Sequence, residues 1–498
     1  MRDKILNACL LGAVFIFIGF LLFASTKISL NFDASYNLLS YQSLFNGTGF
    51  AYTYNGITIP FDPVISTGPE LYVPAFLLWK ITGTCDYFSA VHVLIGLYAA
   101  FLLFLVFYVH RRPVERMLSL GIFLFWIFYT GYLWGENACI VLDPLGEVVA
   151  AFLVCAGFYF LHRARLFAGF LLLGFALDAK TNIIIALVPA AGLYILIRCV
   201  WPYLRARDYG QCLKKCITVV PYVLLMFAPH FLYSTVVPAL VLDPAGAKVL
   251  QAARAERADH LLQYGFGQAV DLYKNPTRAG LADFFDKTKG KAEDLQYIFG
   301  GSWLCLLLYA ATLVAMLVYA RGHFAFYLFF FSLVMLVWYL TMPFYGWLRY
   351  FFMSEVVFIL GLCAFLPSLA GHRHRVLLMM LIAVVVFSLP RFSAEALRAT
   401  LRGDMRRDLL LMTDEIRDID EKKMYAYGWL QCPQLMLLSG KRFQNLFDPR
   451  HAGRIKGSEA YFLTSYENKF MGEDVLDSLT KNYVLVAEHG HNRLYRLQ

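Results

Sequence analysis

The chain has 498 residues, of which 59% are hydrophobic and 16% are charged, and its mean hydropathy is +0.57. Soluble domains carry about 25% charged residues, so this composition excludes a soluble globular protein and predicts a polytopic membrane protein. The formal net charge of +9 does not indicate nucleic-acid binding, because Lys and Arg lie mostly in short connectors between apolar segments.

Apolar segments recur along the chain, and about 20 residues are needed to cross the ~30 Å of hydrocarbon. The first follows Arg2 and Lys4 and exceeds the ~7–15 residues of a signal-peptide core, so it is interpreted as a retained span; a cleaved signal peptide is the alternative. About eleven spans are predicted, near 5–25, 88–109, 117–134, 145–161, 166–180, 183–200, 217–236, 301–319, 324–342, 350–369 and 376–390.

The connectors orient these spans. Arg and Lys cluster in alternate connectors, whereas the short loop Gly135–Asp143 has acidic residues and no Lys or Arg. By the positive-inside rule the N-terminus is cytoplasmic, and loops 26–87 and 237–300 lie outside with the C-terminal region. Residues 1–390 are therefore predicted to form a transmembrane domain, and residues 391–498 a small soluble α/β domain. Loop 237–300 is predicted to form amphipathic helices at the membrane surface.

The polar segment Asn31–Pro74 directly follows the first span. Its sequence DASYNLLSYQSL predicts an amphipathic helix that begins near Asp33. A carboxylate at this place is either a helix N-cap or a general base for an acceptor hydroxyl. Tyr36, in the same Tyr-rich segment, is a candidate for contact with a sugar ring.

Three other acids are candidates for substrate binding. Glu147 begins the fourth predicted span, where the helix dipole favours an acid; the alternative is an acid that faces an external cavity. Asp62 precedes Pro63, so it either forms a turn or contacts substrate, and Glu70 is a further candidate for substrate contact.

Two basic residues are candidates for binding a lipid phosphate. Lys180 interrupts a long apolar stretch and either snorkels to the interface or faces a cavity, as ionisable groups at membrane depth usually do. Arg349 ends the external turn MPFYGWLR and either anchors the interface or offers phosphate a bidentate fork.

The remaining polar residues give weaker indications. Cys212 and Cys216 lack a second pair of metal ligands nearby, which argues against zinc. No cofactor is predicted, and the need for a divalent metal is left open because the spacing of the acids is not fixed by the sequence. Cys85 and Cys139 fall on the same predicted side, where a disulfide is one possibility. His230 is interpreted as a satisfied residue at a helix end.

These features together resemble the GT-C glycosyltransferases, in the bacterial branch near protein O-mannosyltransferases and lipid A aminoarabinose transferases. The resemblance rests on the order of DxxYNLLSYQSLxxGxGF, ISTGPELYVPAFLLWKITG, LDPLGEVVAAFLV, LDAKTN and WLRYFFM. It implies that Asp33 is the catalytic residue, that the donor is a polyprenyl-phosphate sugar, and that the anomeric carbon is inverted.

The chain departs from this pattern at two places. Many relatives have adjacent acids where this sequence has Asp33-Ala34. The aminoarabinose branch has Glu-Lys-Pro where this sequence has Gly68-Pro69-Glu70, so a lysine for the lipid phosphate is missing. This difference argues against aminoarabinose as the sugar.

The sequence is therefore interpreted as an inner-membrane glycosyltransferase that acts on the extracytoplasmic face. Its expected partners are a polyprenyl-phosphate sugar, a glycan, lipid or protein acceptor, and membrane lipids, but not nucleic acid. A lipid transporter or flippase is the alternative, although residues 166–200 lack the matching interrupted partner that inverted repeats would supply. A transferase of phosphoethanolamine or acyl groups is a further rival, and it lacks a persuasive nucleophile–base arrangement.

Overall fold

The computed structural model describes residues 2–30, 32–49, 51–54, 57–60, 69–129, 140–298, 303–343, 348–369, 397–398, 401–402, 404–419, 423–427, 432–445, 461–464 and 481–498. Within these ranges, five helices are long and apolar enough to cross a membrane, and four shorter apolar helices accompany them. The protein is a multi-pass helical membrane protein, as the sequence predicts.

The helices and strands are numbered in chain order. The helices are α1 (Arg2–Ser25), α2 (Phe32–Phe45), α3 (Pro69–Thr82), α4 (Ser89–Leu103), α5 (Pro113–Tyr129), α6 (Glu147–His162), α7 (Leu166–Ala179), α8 (Ile184–Ile195), α9 (Trp201–Arg205), α10 (Tyr209–Phe231), α11 (Val237–Val241), α12 (Pro244–Lys274), α13 (Arg278–Ile298), α14 (Trp303–Tyr319), α15 (Ala325–Thr341), α16 (Leu348–Phe365), α17 (Met405–Arg417) and α18 (Cys432–Ser439). The strands are β1 (Ala51–Tyr54), β2 (Ile57–Pro60), β3 (Lys423–Tyr427), β4 (Arg442–Asn445), β5 (Tyr461–Thr464), β6 (Tyr483–His489) and β7 (Asn492–Leu497).

Helices α6 and α7 pack together as an antiparallel pair. A Cβ built on Gly157 of α6 would lie 2.6 Å from the side chain of Leu173 on α7, so any larger residue there would require Leu173 to shift. Small residues allow membrane helices to approach this closely. Because the short connection joins the helices at one end, Glu147 at the start of α6 and Lys180 just after α7 come together at the other end.

The segment between α1 and α4 holds a helix, a hairpin and a second helix. Helix α2 begins at Phe32, which confirms the predicted helix and places Asp33 in its first turn. Strands β1 and β2 pair antiparallel, with Tyr54 opposite Ile57, and α3 packs against both α2 and α4. The hairpin and α3 are not predicted from the sequence.

The long charged loop folds into a helical hairpin of α12 and α13. Helix α12 begins at an Asp243 cap, whose carboxylate accepts a hydrogen bond from the Gly246 amide at 2.6 Å. The chain turns at Asn275 and Pro276, and the Gln268 side chain of α12 then donates to the Phe284 carbonyl of α13 at 2.9 Å. The predicted helices are present, and their placement along the membrane surface stays a prediction.

The C-terminal region contains a five-stranded sheet in the order β4-β3-β5-β7-β6. Strand β3 is parallel to β4 and β5, whereas β7 is antiparallel to β5 and β6. The closing hairpin turns at Gly490, whose φ of +60° suits glycine. Helix α18 packs against α17 and against α2 of the membrane region. The described helices and mixed sheet confirm the predicted α/β character.

The predicted spans up to residue 369 coincide with apolar helices, and most boundaries shift by a few residues. The helix of the seventh span begins earlier than predicted, at Tyr209, and residues 130–134 of the third predicted span lie outside the described residues. The predicted span at 376–390 and the domain boundary at residue 390 lie outside the described residues. Strand β4 is absent from the sequence-based assignment, since Arg442–Asn445 has no alternating apolar pattern.

Candidate functional site

Asp33 and Arg349 meet at one end of the helical bundle. Nη1 of Arg349 donates a hydrogen bond to Oδ2 of Asp33 at 3.2 Å, although the residues come from α2 and α16. The side chains are 47% and 30% exposed, so a ligand can reach the pair. The guanidinium also lies over the ring of Tyr350, 5.9 Å from its centroid. Two residues that the sequence assigned to one reaction are thus brought into contact.

Glu147 and Lys180 form a second ion pair nearby. Nζ of Lys180 lies 2.6 Å from Oε1 of Glu147, and it also donates to the Leu145 carbonyl at 3.4 Å. Glu147 is buried, and Lys180 follows α7 in extended conformation. The lysine predicted to bind phosphate is therefore already paired with the acid predicted to contact substrate.

Asp143 connects the two ion pairs electrostatically. It precedes α6 and is 7% exposed, with Oδ1 shielded from solvent and without a hydrogen-bond partner. Burial raises the pKa of its carboxyl well above the ordinary value, and the carboxylates of Glu147 and Asp33 raise it further, while Arg349 and Lys180 lower it. These five residues thus form one electrostatically coupled group.

A second polar group lies between α3, α7 and α10. His230 Nδ1 lies 3.2 Å from Oδ1 of Asp178, which agrees with the expectation of a satisfied histidine at a helix end. Glu70 has both carboxylate oxygens shielded from solvent and without hydrogen-bond partners. Burial raises the pKa of Glu70, and the Asp178 carboxylate raises it further. Glu70 therefore belongs with Asp178 rather than with Asp33.

The Tyr side chains of α2 line the same region. Tyr36 is half-buried and packs against the core one turn after Asp33. The hydroxyl groups of Tyr41 and Tyr233 lie 2.8 Å apart, and the ring of Tyr41 stacks on that of Tyr72. The Tyr72 hydroxyl donates to the Pro144 carbonyl at 2.6 Å, which ties α3 to the loop that carries Asp143.

Some predicted residues lie outside this picture. Asp62 and Cys139 are outside the described residues, so the role of Asp62 and the disulfide with Cys85 stay predictions. Cys212 and Cys216 are both free cysteines. In the described part of the chain, no group of three or more His, Cys, Asp or Glu residues is placed to hold a metal ion.

Asp143 and Asp178 are absent from the sequence-based site. Both occur in short polar interruptions of apolar sequence, LDPLGE and LDAKTN. These motifs contribute to the family resemblance, and the sequence alone gives their aspartates no role. An ionisable residue within or beside an apolar span is itself a signal of a polar cavity.

The solved structures that the chain resembles share this architecture. ArnT from Cupriavidus metallidurans in the apo state superposes with a TM-score of 0.53 at 12% sequence identity, covering 98% of this chain and 97% of that one. ArnT from the same organism bound to undecaprenyl phosphate gives 0.50 at 12% identity, covering 97% of each chain.

The chain has the GT-C fold. Archaeal AglB from Archaeoglobus fulgidus, an oligosaccharyltransferase in complex with an inhibitory peptide and a dolichol-phosphate, gives a TM-score of 0.46 at 12% identity, covering 91% of this chain and 69% of that one. No protein-family model and no curated protein sequence matches the chain. The GT-C architecture expected from the order of motifs is thus confirmed at the level of fold.

Proposed function

We propose that this protein is a membrane glycosyltransferase that moves a sugar from a polyprenyl-phosphate donor to a hydroxyl acceptor on the extracytoplasmic face of the bacterial inner membrane. The contact between Asp33 and Arg349 carries the proposal. It places a carboxylate that can accept a proton beside a guanidinium that can bind phosphate, in a pair that remains accessible to ligands.

Arg349 is assigned to the donor phosphate. A guanidinium offers several N–H donors in a planar fork, which suits a phosphate better than a point charge does. Negative charge develops on the phosphate as the bond to the anomeric carbon breaks, and a fixed cation stabilises that charge. The undecaprenyl phosphate bound to ArnT, which has the same fold, supports a donor of this class.

Asp33 is assigned to the acceptor. Its carboxylate takes the proton from the acceptor hydroxyl while the hydroxyl oxygen attacks the anomeric carbon, and the polyprenyl phosphate leaves with the electron pair of the broken bond. Attack opposite to the leaving phosphate inverts the anomeric carbon. Tyr36, one turn further along α2, is assigned to contact with the sugar.

Lys180 and Glu147 have a less direct part in this proposal. Since Lys180 pairs with Glu147 at 2.6 Å, its charge first compensates that buried acid. The pair then fixes the loop between Asp143 and α6 beside the donor site. Lys180 is thus assigned a supporting contribution to the field at the phosphate, with Arg349 as the direct ligand.

Comparison of cell envelopes tests the proposed activity. Glycolipids and glycoproteins are compared by mass spectrometry among cells with the wild-type gene, without the gene, and with Asp33→Asn. We expect one class of molecule to lose the mass of a single sugar both without the gene and with Asp33→Asn. Identical spectra from the three strains would contradict the proposal, and a changed lipid distribution without a lost sugar would favour a transporter.

A further inference from the structure

Lys291 is buried in the hairpin of α12 and α13, called the external hairpin below, and its side chain contacts the main chain at Pro343. The residue is 4% exposed. Its Nζ donates to the side-chain oxygen of Gln268 and to the main-chain carbonyl of Pro343. Arg349 lies six residues after Pro343 in the sequence. An ammonium group of α13 thus anchors the main chain at Pro343, just after the end of α15.

Gln268 completes this contact on the α12 side. Its main-chain N–H donates to the Met342 carbonyl at 3.1 Å, although it lies within a helix. Its side-chain amide donates to Phe284 and Thr288 of α13, at 2.9 Å and 2.8 Å. Both hairpin helices therefore hydrogen-bond to the end of α15, α12 through the Gln268 N–H to Met342 and α13 through Lys291 to Pro343.

Trp338 provides a second connection between the hairpin and Arg349. Its indole N–H donates to the Gly265 carbonyl of α12 at 3.0 Å. Its ring packs against Tyr350, with 5.4 Å between the ring centroids, and Tyr350 in turn lies under the Arg349 guanidinium. The hairpin is therefore linked to Pro343, which precedes Arg349 in the chain, and through Trp338 to Tyr350, which follows it.

Burial of the Lys291 ammonium group without a carboxylate partner costs folding free energy. Among the described residues no carboxylate lies within ion-pair distance of Lys291. Burial and the neighbouring Lys287 ammonium lower its pKa to about 8. An apolar side chain of similar length would avoid the cost of removing a charge from water, but it would not donate hydrogen bonds to two oxygens at once.

We infer that Lys291 is a positioning residue for Arg349, and that it sets the place at which the guanidinium meets the phosphate of the lipid donor. The inference rests on the proposed function, since it needs Arg349 to bind that phosphate. It adds a role for the external hairpin: the hairpin controls donor affinity without touching the donor.

The test measures binding of undecaprenyl phosphate to the full chain in detergent micelles. Lys291→Met removes the ammonium group and keeps the length of the side chain. We expect this change to weaken binding at least tenfold. Lys289→Met is the matched control, because Lys289 is exposed on the same helix, and it should leave the affinity unchanged.

A double-mutant cycle separates positioning from general loss of structure. If Lys291 acts through Arg349, adding Lys291→Met to Arg349→Gln should change the affinity by less than twofold. An equal loss in both backgrounds, or no loss in the wild-type background, overturns the inference. If Arg349→Gln itself leaves the affinity unchanged, the phosphate role in the proposed function fails as well.

A milder variant covers the case in which Lys291→Met does not fold. Trp338→Phe removes the indole N–H and keeps a ring beside Tyr350. We expect it to weaken undecaprenyl phosphate binding about threefold in the wild-type background and not in the Arg349→Gln background. Wild-type affinity for folded Trp338→Phe would count against control by the hairpin.

Discussion

Arg349 and Asp33 are 316 positions apart in the chain, yet Nη1 of the arginine lies 3.2 Å from Oδ2 of the aspartate. The contact joins α2 to α16, the last described apolar helix. Because both side chains are partly exposed, the pair contributes little to stability, roughly 0–1 kcal/mol. Its placement is thus better explained by chemistry on a ligand than by folding.

The first prediction concerns Asp33→Asn. The change keeps the size of the side chain and removes the proton acceptor, so transfer should fall by roughly 10²–10⁴, the usual contribution of general base catalysis. The unfolding midpoint should stay close to that of wild type. Transfer from a polyprenyl-phosphate sugar and thermal unfolding are measured in the same detergent. The exposed Asp286→Asn serves as control, and near wild-type turnover of folded Asp33→Asn would end the proposed mechanism.

The second prediction concerns Arg349→Lys. This variant keeps the positive charge beside Asp33 and loses the planar fork. We expect the KM for the lipid donor to rise about tenfold, equivalent to ~1.4 kcal/mol, with a smaller change in KM for the acceptor. Arg321→Lys, at an exposed connector, is the control. An unchanged donor KM would leave Arg349 as an anchor at the membrane interface.

The third prediction uses the buried pair of Glu147 and Lys180. Lys180→Met leaves the Glu147 carboxylate buried without its cation, and such a break costs about 3–5 kcal/mol. The double variant with Glu147→Gln removes both charges and should recover most of that loss. Denaturant unfolding of wild type, the two single variants and the double variant measures the coupling. Additive single effects would show that the 2.6 Å contact is not an interacting pair.

The fourth prediction is a pH dependence at Glu70. Burial raises the pKa of this carboxyl in the folded state above its ordinary value of 4.5, which the unfolded state keeps. At a pH between the unfolded-state and folded-state pKa values, the folded state holds a proton that the unfolded state releases. Raising the pH through this window therefore destabilises the folded state. Glu70→Gln removes the proton uptake, and its unfolding midpoint should match wild type near pH 5 and exceed it increasingly toward pH 8.

The control for this experiment is Glu293→Gln, since Glu293 is exposed on α13. Its difference from wild type should not change with pH over the same window. A constant difference between Glu70→Gln and wild type from pH 5 to pH 8 would mean that Glu70 is ionised throughout, and that a cation or donor compensates it.

Local sequence patterns predict the helices well, but they predict the pairing of strands poorly. The apolar runs locate the spans because crossing the membrane requires a long apolar helix. The strands β1 and β2 are missed although Asn55-Gly56 between AYTY and ITIP is a strong hairpin signal. That dipeptide lies in Asn31–Pro74, where the sequence-based interpretation rests on the acids, the Tyr residues and one amphipathic helix.

The composition of the site is only partly accessible from the sequence. Asp33 and Arg349 follow from their positions at the ends of external segments, and their chemistry suggests complementary roles. The partner of Lys180 does not follow, since the contact with Glu147 depends on how closely α6 and α7 approach. Lys291 is missed because a lysine in a charged helical loop is normally exposed, and only tertiary packing buries it.

The last prediction concerns the contact between the C-terminal region and the helix that carries Asp33. Helix α18 packs on α2, and buried Gln434 donates its side-chain amide to the Leu30 carbonyl just before that helix. Gln42 of α2 donates in return to the Leu437 carbonyl at 3.1 Å. The C-terminal region should therefore stabilise the start of α2.

Gln434→Met keeps the volume of the side chain and leaves the Leu30 carbonyl without this donor, at a cost of ~1–3 kcal/mol. We expect faster hydrogen exchange of the α2 amides and a lower kcat, with α6 and α7 exchanging as in wild type. Exposed Gln211→Ala is the control. If α2 exchanges at the wild-type rate in Gln434→Met while the global stability falls, the C-terminal region does not act on α2. If instead only the α2 amides exchange faster and the rate of transfer falls as well, contacts from the C-terminal region help to hold Asp33 in place.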